Sequence, residues 1–174
     1  MVLLTGLFVV DAGVLFSLWP QKNPQKSLAT TQAVVDEVLN RPSRRRIDEL
    51  LSTSRLRVEG AVPSAFPHVE ETARKTGDLN KLSKQDVELL ALAISLSQES
   101  RDVTVVSTDL AVLNTAVSLG LRAVDPERRF RERIKWMFKC PACGKALRTA
   151  PPGMECPVCG TKMQRRPGQR KRVS

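Results

Sequence analysis

The sequence is poor in histidine and in aromatic residues, and both shortages restrict what the protein can do. His68 is the single histidine, tyrosine is absent, and aromatic residues make up 4% of the 174 residues. Because His68 has no serine or cysteine partner pattern around it, hydrolysis by a catalytic triad is excluded. Since 41% of the residues are hydrophobic, the chain can bury a core, and that core must be aliphatic.

Long apolar runs are missing as well. The apolar segment at residues 1–10 is too short to span a membrane, and it lacks the basic start of a signal peptide. We interpret it as a buried strand, and we expect a cytoplasmic protein with no membrane partner.

Acidic residues are scarce in the last part of the chain. Residues 126–174 carry 14 lysines and arginines but 3 glutamates, whereas residues 1–125 carry 14 basic and 15 acidic residues. The net charge of +10 therefore comes almost wholly from the C-terminal part. Such a basic block attracts polyanions, of which nucleic acid is the usual one. A solubilising tail is the alternative interpretation.

Apolar strands alternate with amphipathic helices in the first part of the chain. The pattern predicts strands at residues 7–10, 56–58, 103–107 and 121–124, and helices at residues 14–16, 32–39, 42–52, 63–75, 83–98 and 109–120. This alternation predicts an α/β/α sandwich around a mainly parallel sheet. We divide the chain into an α/β domain (1–125), a linker (126–136), a cysteine-rich ribbon (137–163) and a basic tail (164–174).

Four carboxylates stand out against this pattern. Asp11 and Asp109 each follow an apolar strand, at the edge of the sheet where ligands bind, although aspartate there also caps helices. Glu37 borders the apolar face of its helix. Asp86 points into the centre of the apolar face of its helix, where an ionised carboxylate needs a cation; a capping box with Ser83 is the local alternative. Clustered carboxylates without other catalytic groups predict phosphoryl hydrolysis assisted by Mg²⁺ or Mn²⁺.

Two copies of the pattern C-P-x-C-G follow, with twelve residues between them. This spacing predicts one structural, tetrahedral zinc ion, because four thiolates leave no position open for catalysis. Thiol redox chemistry is the alternative, but it normally uses one C-x-x-C pair. Metal binding would supply the folding energy of so short a segment. The predicted ligands are Cys140, Cys143, Cys156 and Cys159.

Basic side chains in and after this ribbon are candidate phosphate contacts. Trp136 and Phe138, just before it, either stack on bases or pack the ribbon against its neighbour; we favour packing. The candidate RNA-binding residues are Lys145, Arg148, Lys162, Arg165, Arg166, Arg170, Lys171 and Arg172.

The order of these motifs resembles a known family. The PIN nuclease domain is indicated by Val10-Asp11-Ala12-Gly13, Val35-Asp36-Glu37-Val38, Leu82-Ser83-Lys84-Gln85-Asp86 and Ser107-Thr108-Asp109. A Nob-type ribosome-maturation endonuclease of archaeal type is indicated by Arg44-Arg45-Arg46, Lys75-Thr76-Gly77-Asp78, Asn114 and the C-terminal zinc ribbon with its basic tail.

The resemblance implies a single-strand-specific RNA endonuclease that cuts the 3′ end of the small-subunit (16S) precursor rRNA with Mn²⁺ or Mg²⁺. It assigns Asp11, Asp86 and Asp109 as direct ligands of the catalytic ion, with Glu37 acting through water or orienting the nucleophile. Ser107 matches a hydroxyl position that orients water or a carboxylate. The implied partners are the precursor rRNA and the pre-30S particle, with a KH-domain assembly factor as a further candidate.

Two other functions fit the same residues. The α/β domain can be inactive, in which case the ribbon is an RNA-binding adaptor of the pre-ribosome. A toxin-type PIN ribonuclease that acts on tRNA or mRNA is the other alternative, but the zinc ribbon weighs against it.

Overall fold

The computed structural model describes residues 6–99 and 102–173, and a parallel five-stranded sheet forms its centre. The strands are β1 (Leu7–Val10), β2 (Ser27–Thr30), β3 (Leu56–Val58), β4 (Val103–Val106) and β5 (Arg122–Val124). They lie in the order β3-β2-β1-β4-β5, so the two most apolar strands, β1 and β4, are neighbours in the middle. Residues 1–5 of the predicted N-terminal strand lie outside the described residues.

Helices flank this sheet, and those in the described residues lie close to the predicted positions, except for a short helix at Trp19–Lys22 that was not predicted. In the described residues they are α1 (Ala12–Phe16), α2 (Trp19–Lys22), α3 (Gln32–Glu37), α4 (Arg41–Ser52), α5 (Ala65–Thr76), α6 (Lys84–Glu99) and α7 (Leu110–Ser118). The α/β class predicted from the sequence is confirmed. None of these helices is both long enough and apolar enough to cross a membrane.

The core between sheet and helices is aliphatic, as the shortage of aromatic residues requires. The largest side chains buried almost completely in it are Leu15, Leu28, Ile47, Leu89, Leu90, Leu92 and Leu113. α6 contributes an unbroken run of buried residues from Leu89 to Leu96 because it packs against β1, β4, α3, α5 and α7. α6 is therefore the central helix of the α/β part.

One strand of the sheet was not predicted. β2 has the sequence Ser27-Leu28-Ala29-Thr30, which holds a single residue type with strong strand preference. Its partners decide its conformation, because it lies between β1 and β3 and pairs with both. Tertiary pairing thus makes a strand of a segment whose own preference is weak.

The C-terminal part forms a second sheet, and here the predicted linker and tail are corrected. The strands are β6 (Glu132–Lys139), β7 (Ala146–Leu147) and β8 (Gln164–Arg172), in the antiparallel order β7-β6-β8. The predicted linker therefore contains the first half of β6, and the predicted basic tail is β8. The physical reason is pairing: β8 supplies β6 with a hydrogen-bonding partner along nearly its whole length.

A bulge interrupts the pairing of β6 with β8. Trp136 pairs with Pro167 and Ile134 pairs with Arg170, so one residue of β6 opposes two of β8. Gly168 lies at this point, where a Cβ atom would come within 2.7 Å of the Lys135 carbonyl oxygen. The extra residue reverses which side chains of β8 face the α/β part, because strand side chains alternate between faces.

The two sheets are joined through the end of α5. Gly77 ends this helix with φ of +80°, and a Cβ there would lie 2.9 Å from Cβ of Trp136. The next residue, Asp78, is 1% exposed and forms an ion pair with Arg165 of β8, whose guanidinium lies 4.0 Å from the centre of the Trp136 ring. Asn114 of α7 donates to the Asp78 carboxylate and to the Ile134 carbonyl, the latter at 2.8 Å.

We predict that Asp78→Asn lowers the free energy of unfolding by about 3 kcal/mol or more, because it leaves the Arg165 guanidinium without its counter-charge in a largely buried position. Glu71→Gln is the control, since Glu71 forms exposed pairs with Arg74 and Lys75. The control should lose less than about 1 kcal/mol. Urea denaturation of both zinc-loaded variants makes the comparison, and equal losses would contradict a structural role for the buried pair.

Candidate active site and metal centres

The edge of the sheet where β1 and β4 end brings two of the predicted acids together. Asp11 is 7% exposed, and its Oδ1 accepts from the Val14 N–H at 2.7 Å, which caps α1. Its Oδ2 accepts from the Ser107 hydroxyl and from the Thr108 N–H, the latter at 3.1 Å. The carboxylate of Asp11 is therefore held by the segment that follows β4.

Ser107 connects Asp11 to Asp109. Its Oγ donates to the Asp11 carboxylate and accepts from the Asp109 N–H at 2.9 Å. Asp109 itself is exposed and caps α7, because its Oδ1 accepts from the Ala111 N–H at 2.6 Å. The cap interpretation and the site interpretation are therefore compatible, since the helix uses one carboxylate oxygen of an exposed side chain.

The structure corrects the expectation for Asp86. Its side chain is half-buried, and it has no basic ion-pair partner among the described residues. Its Oδ2 accepts from the N–H and the hydroxyl of Ser83, both at 2.8 Å, and Ser83 Oγ accepts from the Asp86 N–H at 3.1 Å. This is the capping box. Asp86 does not lie in the core because it belongs to the first turn of α6, whereas the buried residues of this helix start at Leu89.

The burial of the Asp11 carboxyl and the negative charge of Asp86 near it favour the binding of a cation. Burial raises the pKa of Asp11, the hydrogen bonds from Ser107, Val14 and Thr108 oppose that rise, and the negative charge of Asp86 adds to it. In the described part of the chain no lysine or arginine forms an ion pair with Asp11, Asp86 or Asp109. Hard oxygen ligands with unbalanced negative charge fit Mg²⁺ or Mn²⁺.

Glu37 comes from the end of a helix, whereas Asp11 and Asp109 follow strands. It is the last residue of α3, it is exposed, and its helix packs against α1 and α6. Within residues 6–99 and 102–173 the acids do not gather as tightly as the cysteines do. The structure thus links Asp11 through Ser107 to the backbone of Asp109, places the charge of Asp86 near Asp11, and leaves Glu37 at the border.

The four cysteines form a compact cluster at the end of the second sheet. Their Sγ atoms all lie within 4.8 Å of one another, with 3.5 Å between Cys140 and Cys159 and 3.6 Å between Cys143 and Cys156. Sulfurs bound to one tetrahedral zinc are separated by about 3.8 Å, whereas disulfide sulfurs are about 2 Å apart. Contacts with the side chain and backbone of Thr161 lower the pKa of Cys159 to about 6. The donor set therefore fits one structural zinc ion.

Comparison with known proteins shows the family of this chain. A family model described as the PIN domain of ribonuclease matches residues 8–96. The chain is 38% identical over 135 residues to endoribonuclease Nob1 of Pyrococcus abyssi, which covers 78% of this chain and 81% of that protein. It is 34% identical over 155 residues to endoribonuclease Nob1 of Archaeoglobus fulgidus, covering 88% and 87% of the two chains.

The chain belongs to the Nob1 family of PIN-domain endoribonucleases. It is also 34% identical over 140 residues to ribonuclease VapC1 of Thermoplasma acidophilum, covering 80% of this chain and 68% of that protein. The enzyme class predicted from the sequence, an endoribonuclease that hydrolyses RNA, agrees with this membership.

The basic residues predicted to contact RNA in this Nob1-family chain do not share one environment. Arg165 differs from the rest, because its side chain is 20% exposed and its guanidinium is paired with Asp78. Arg170 lies 3.5 Å from a Glu132 oxygen on β6. The exposed members of the predicted set are Lys145, Arg148, Lys162, Arg166, Arg170, Lys171 and Arg172.

Sequence reasoning missed a third acid at the end of a strand. Asp125 follows β5 as Asp11 follows β1, and it is 8% exposed. Its carboxylate accepts from the N–H groups of Glu127, Arg129 and Phe130 at 2.7–2.9 Å. The strand-then-aspartate signal could have found it, but its oxygens serve its own loop. That loop reaches the site, since Arg129 donates to the Thr108 carbonyl at 2.7 Å.

We predict that Gly13→Ala lowers the free energy of unfolding by about 1–3 kcal/mol, because the new methyl would lie 2.1 Å from Thr108 Oγ1 beside Asp11. Adding Thr108→Ala should restore most of the loss, since it removes that oxygen. Gly60→Ala is the control, because nothing lies within 4 Å of a Cβ there. Thermal denaturation of all four proteins tests the pair, and a double variant that is no more stable than Gly13→Ala would contradict the contact.

We predict that the purified protein carries one zinc ion per chain and that Cys159→Ser removes it, with a marked loss of thermal stability, since zinc binding supplies the folding energy of such ribbons. Val158→Ser is a matched control, because Val158 is 66% exposed on the same turn. Metal analysis of the three proteins checks this. Full zinc content in Cys159→Ser would exclude the assigned ligand set.

Proposed function

We propose that this protein is a divalent-metal-dependent endoribonuclease that cuts single-stranded RNA at the 3′ end of the small-subunit (16S) precursor rRNA in the cytoplasm. The observation that carries the proposal is the link from the Asp11 carboxylate through the Ser107 hydroxyl to Asp109. It fixes the Asp11 carboxylate and the backbone of Asp109 at the carboxyl edge of neighbouring parallel strands, where α/β proteins bind their ligands.

The proposed division of roles is the one that the family resemblance implies. Asp11, Asp86 and Asp109 would hold Mn²⁺ or Mg²⁺, and Glu37, at the exposed border, would act through water. When bound, the ion lowers the pKa of water and offsets charge on the phosphate. Ser107 and the Thr108 N–H keep Asp11 in one orientation, so that this carboxylate needs little rearrangement to meet the ion.

The second sheet would hold the substrate. Its exposed lysines and arginines give the C-terminal part a positive surface, which attracts RNA phosphates without reading sequence. The relatives named Nob1 are endoribonucleases, and we propose precursor rRNA within the pre-30S particle as the substrate of this chain. A KH-domain assembly factor is a further proposed partner.

A second candidate has the same active site and a different substrate. The similarity to ribonuclease VapC1 of Thermoplasma acidophilum favours testing tRNA and mRNA beside the precursor rRNA. Preferred cutting of tRNA or mRNA would replace the ribosomal substrate and leave the nuclease chemistry in place. An inactive adaptor, in contrast, would bind RNA and cut nothing with any divalent ion.

We predict that Asp109→Asn slows single-turnover cleavage of a precursor 3′-end fragment in Mn²⁺ by about 100-fold or more, because it removes one charged ligand. Asparagine caps helices as well as aspartate does, so α7 should keep its stability. Asp48→Asn removes an exposed charge from α4 and serves as the control. Equal rates for Asp109→Asn and the wild-type protein would reject the assignment.

A further inference from the structure

A groove lies between the beginning of α7 and the second sheet, and one end of it reaches Asp109. Its volume is about 1110 Å³. Apolar side chains line part of it, among them Phe130, Ile134 and Trp136, together with Leu110, which is 45% exposed. An open groove lined by one exposed and several half-buried apolar side chains suits flat, unstacked rings better than it suits an ion alone.

Positive charge surrounds these apolar side chains. The two acids of the groove other than Asp109 are engaged within the protein, since Asp78 pairs with Arg165 and Glu132 lies 3.5 Å from Arg170. Of the remaining basic side chains that line the groove, Arg129 pairs with Glu127 at 2.9 Å, and the others are Lys81, Arg131 and Arg172. Such a groove is complementary to a phosphate backbone.

One wall of the groove is fixed to the active site. The Asp125 carboxylate holds the N–H groups of Arg129 and Phe130, and Arg129 donates to the Thr108 carbonyl next to Asp11. The loop that presents Phe130 is therefore tied to the acids before any ligand arrives. Because this loop is already ordered, binding a ligand beside the acids costs less conformational entropy.

The opposite wall depends on the bulge at Gly168. With regular pairing after Pro167, residues 169 and 171 would face the groove side, and Arg170 and Arg172 would point away. The extra residue turns Arg170 and Arg172 to the side of Glu132 and Ile134, and Arg172 lines the groove. The bulge thus exchanges a glutamine and a lysine for two arginines on this face.

We propose that this groove binds the single-stranded RNA next to the scissile phosphate, with phosphates against Arg131 and Arg172 and one base against Phe130. The proposal rests on the proposed nuclease function, because that function identifies Asp109 as the end of the groove where the RNA is cut. RNA duplex is disfavoured, because paired bases are stacked and cannot meet the apolar side chains of the groove.

The test measures binding, without cleavage, of a single-stranded RNA of about 12 nucleotides to the zinc-loaded full chain, with no added Mn²⁺ or Mg²⁺. The variant is Arg131→Ala with Arg172→Ala. The matched control is Arg133→Ala with Lys135→Ala, which removes the same charge from the alternate positions of β6. Zinc content and thermal stability of both are compared with wild type first.

The groove variant should lower the slope of log affinity against log salt concentration by about 1.4, since each lost single-strand phosphate contact is worth about 0.7. The control should keep the wild-type slope. Phe130→Leu should weaken binding about tenfold at unchanged slope, because it removes stacking and no charge.

Equal slopes for the groove variant and its control would overturn the proposal, and so would equal binding of an RNA duplex of the same length. A wild-type protein that fails to bind single-stranded RNA would also overturn it. Failure of the proposed nuclease function is distinguishable, because it would show as absent cleavage in Mn²⁺ while the predicted slope change remains and supports the groove.

Discussion

The Asp78 carboxylate lies where three parts of the chain meet, and the relative position of the two sheets depends on it. It follows the end of α5, it accepts from Asn114 of α7, and it forms an ion pair with Arg165 of β8. Burial raises the pKa of Asp78, and the hydrogen bond from Asn114 and the charge of Arg165 oppose this rise. A carboxylate so deeply buried is tolerated only with such partners.

This contact determines the distance between the candidate active site and the basic sheet. α7 begins at the Asp109 cap and carries Asn114, which bonds both Asp78 and the backbone of Ile134 on β6. Five residues of helix span about 7.5 Å. One rigid helix therefore presents a metal ligand at its start and anchors the second sheet a little more than one turn later.

The proposed RNA-binding role of the second sheet depends more on where its basic side chains point than on how many there are. The positive charge of residues 126–174 would attract any polyanion. The bulge at Gly168 decides which side chains of β8 face Asp109, and the pairing with Asp78 withdraws Arg165 from solvent. Glycine is needed there because the Cβ atom of any other residue would lie 2.7 Å from the Lys135 carbonyl oxygen of β6. The bulge thus turns arginines of β8 toward the side of Asp109, so that the positive charge of this sheet faces the candidate active site.

The sequence by itself determined the features that depend on neighbouring residues: the apolar strands β1 and β4, the acids that end them, the spacing of the four cysteines and the position of the basic block. Only the tertiary structure decided the others. Of the two interpretations of Asp86 that the sequence left open, the structure selects the capping box, because the buried run of α6 starts at Leu89. β2 and β8 are strands because partners far along the chain pair with them. Hydrophobic periodicity in the sequence shows which face of a single helix or strand is apolar. Which faces meet depends on pairing register and on contacts such as Asp78 with Arg165, which join residues 87 positions apart.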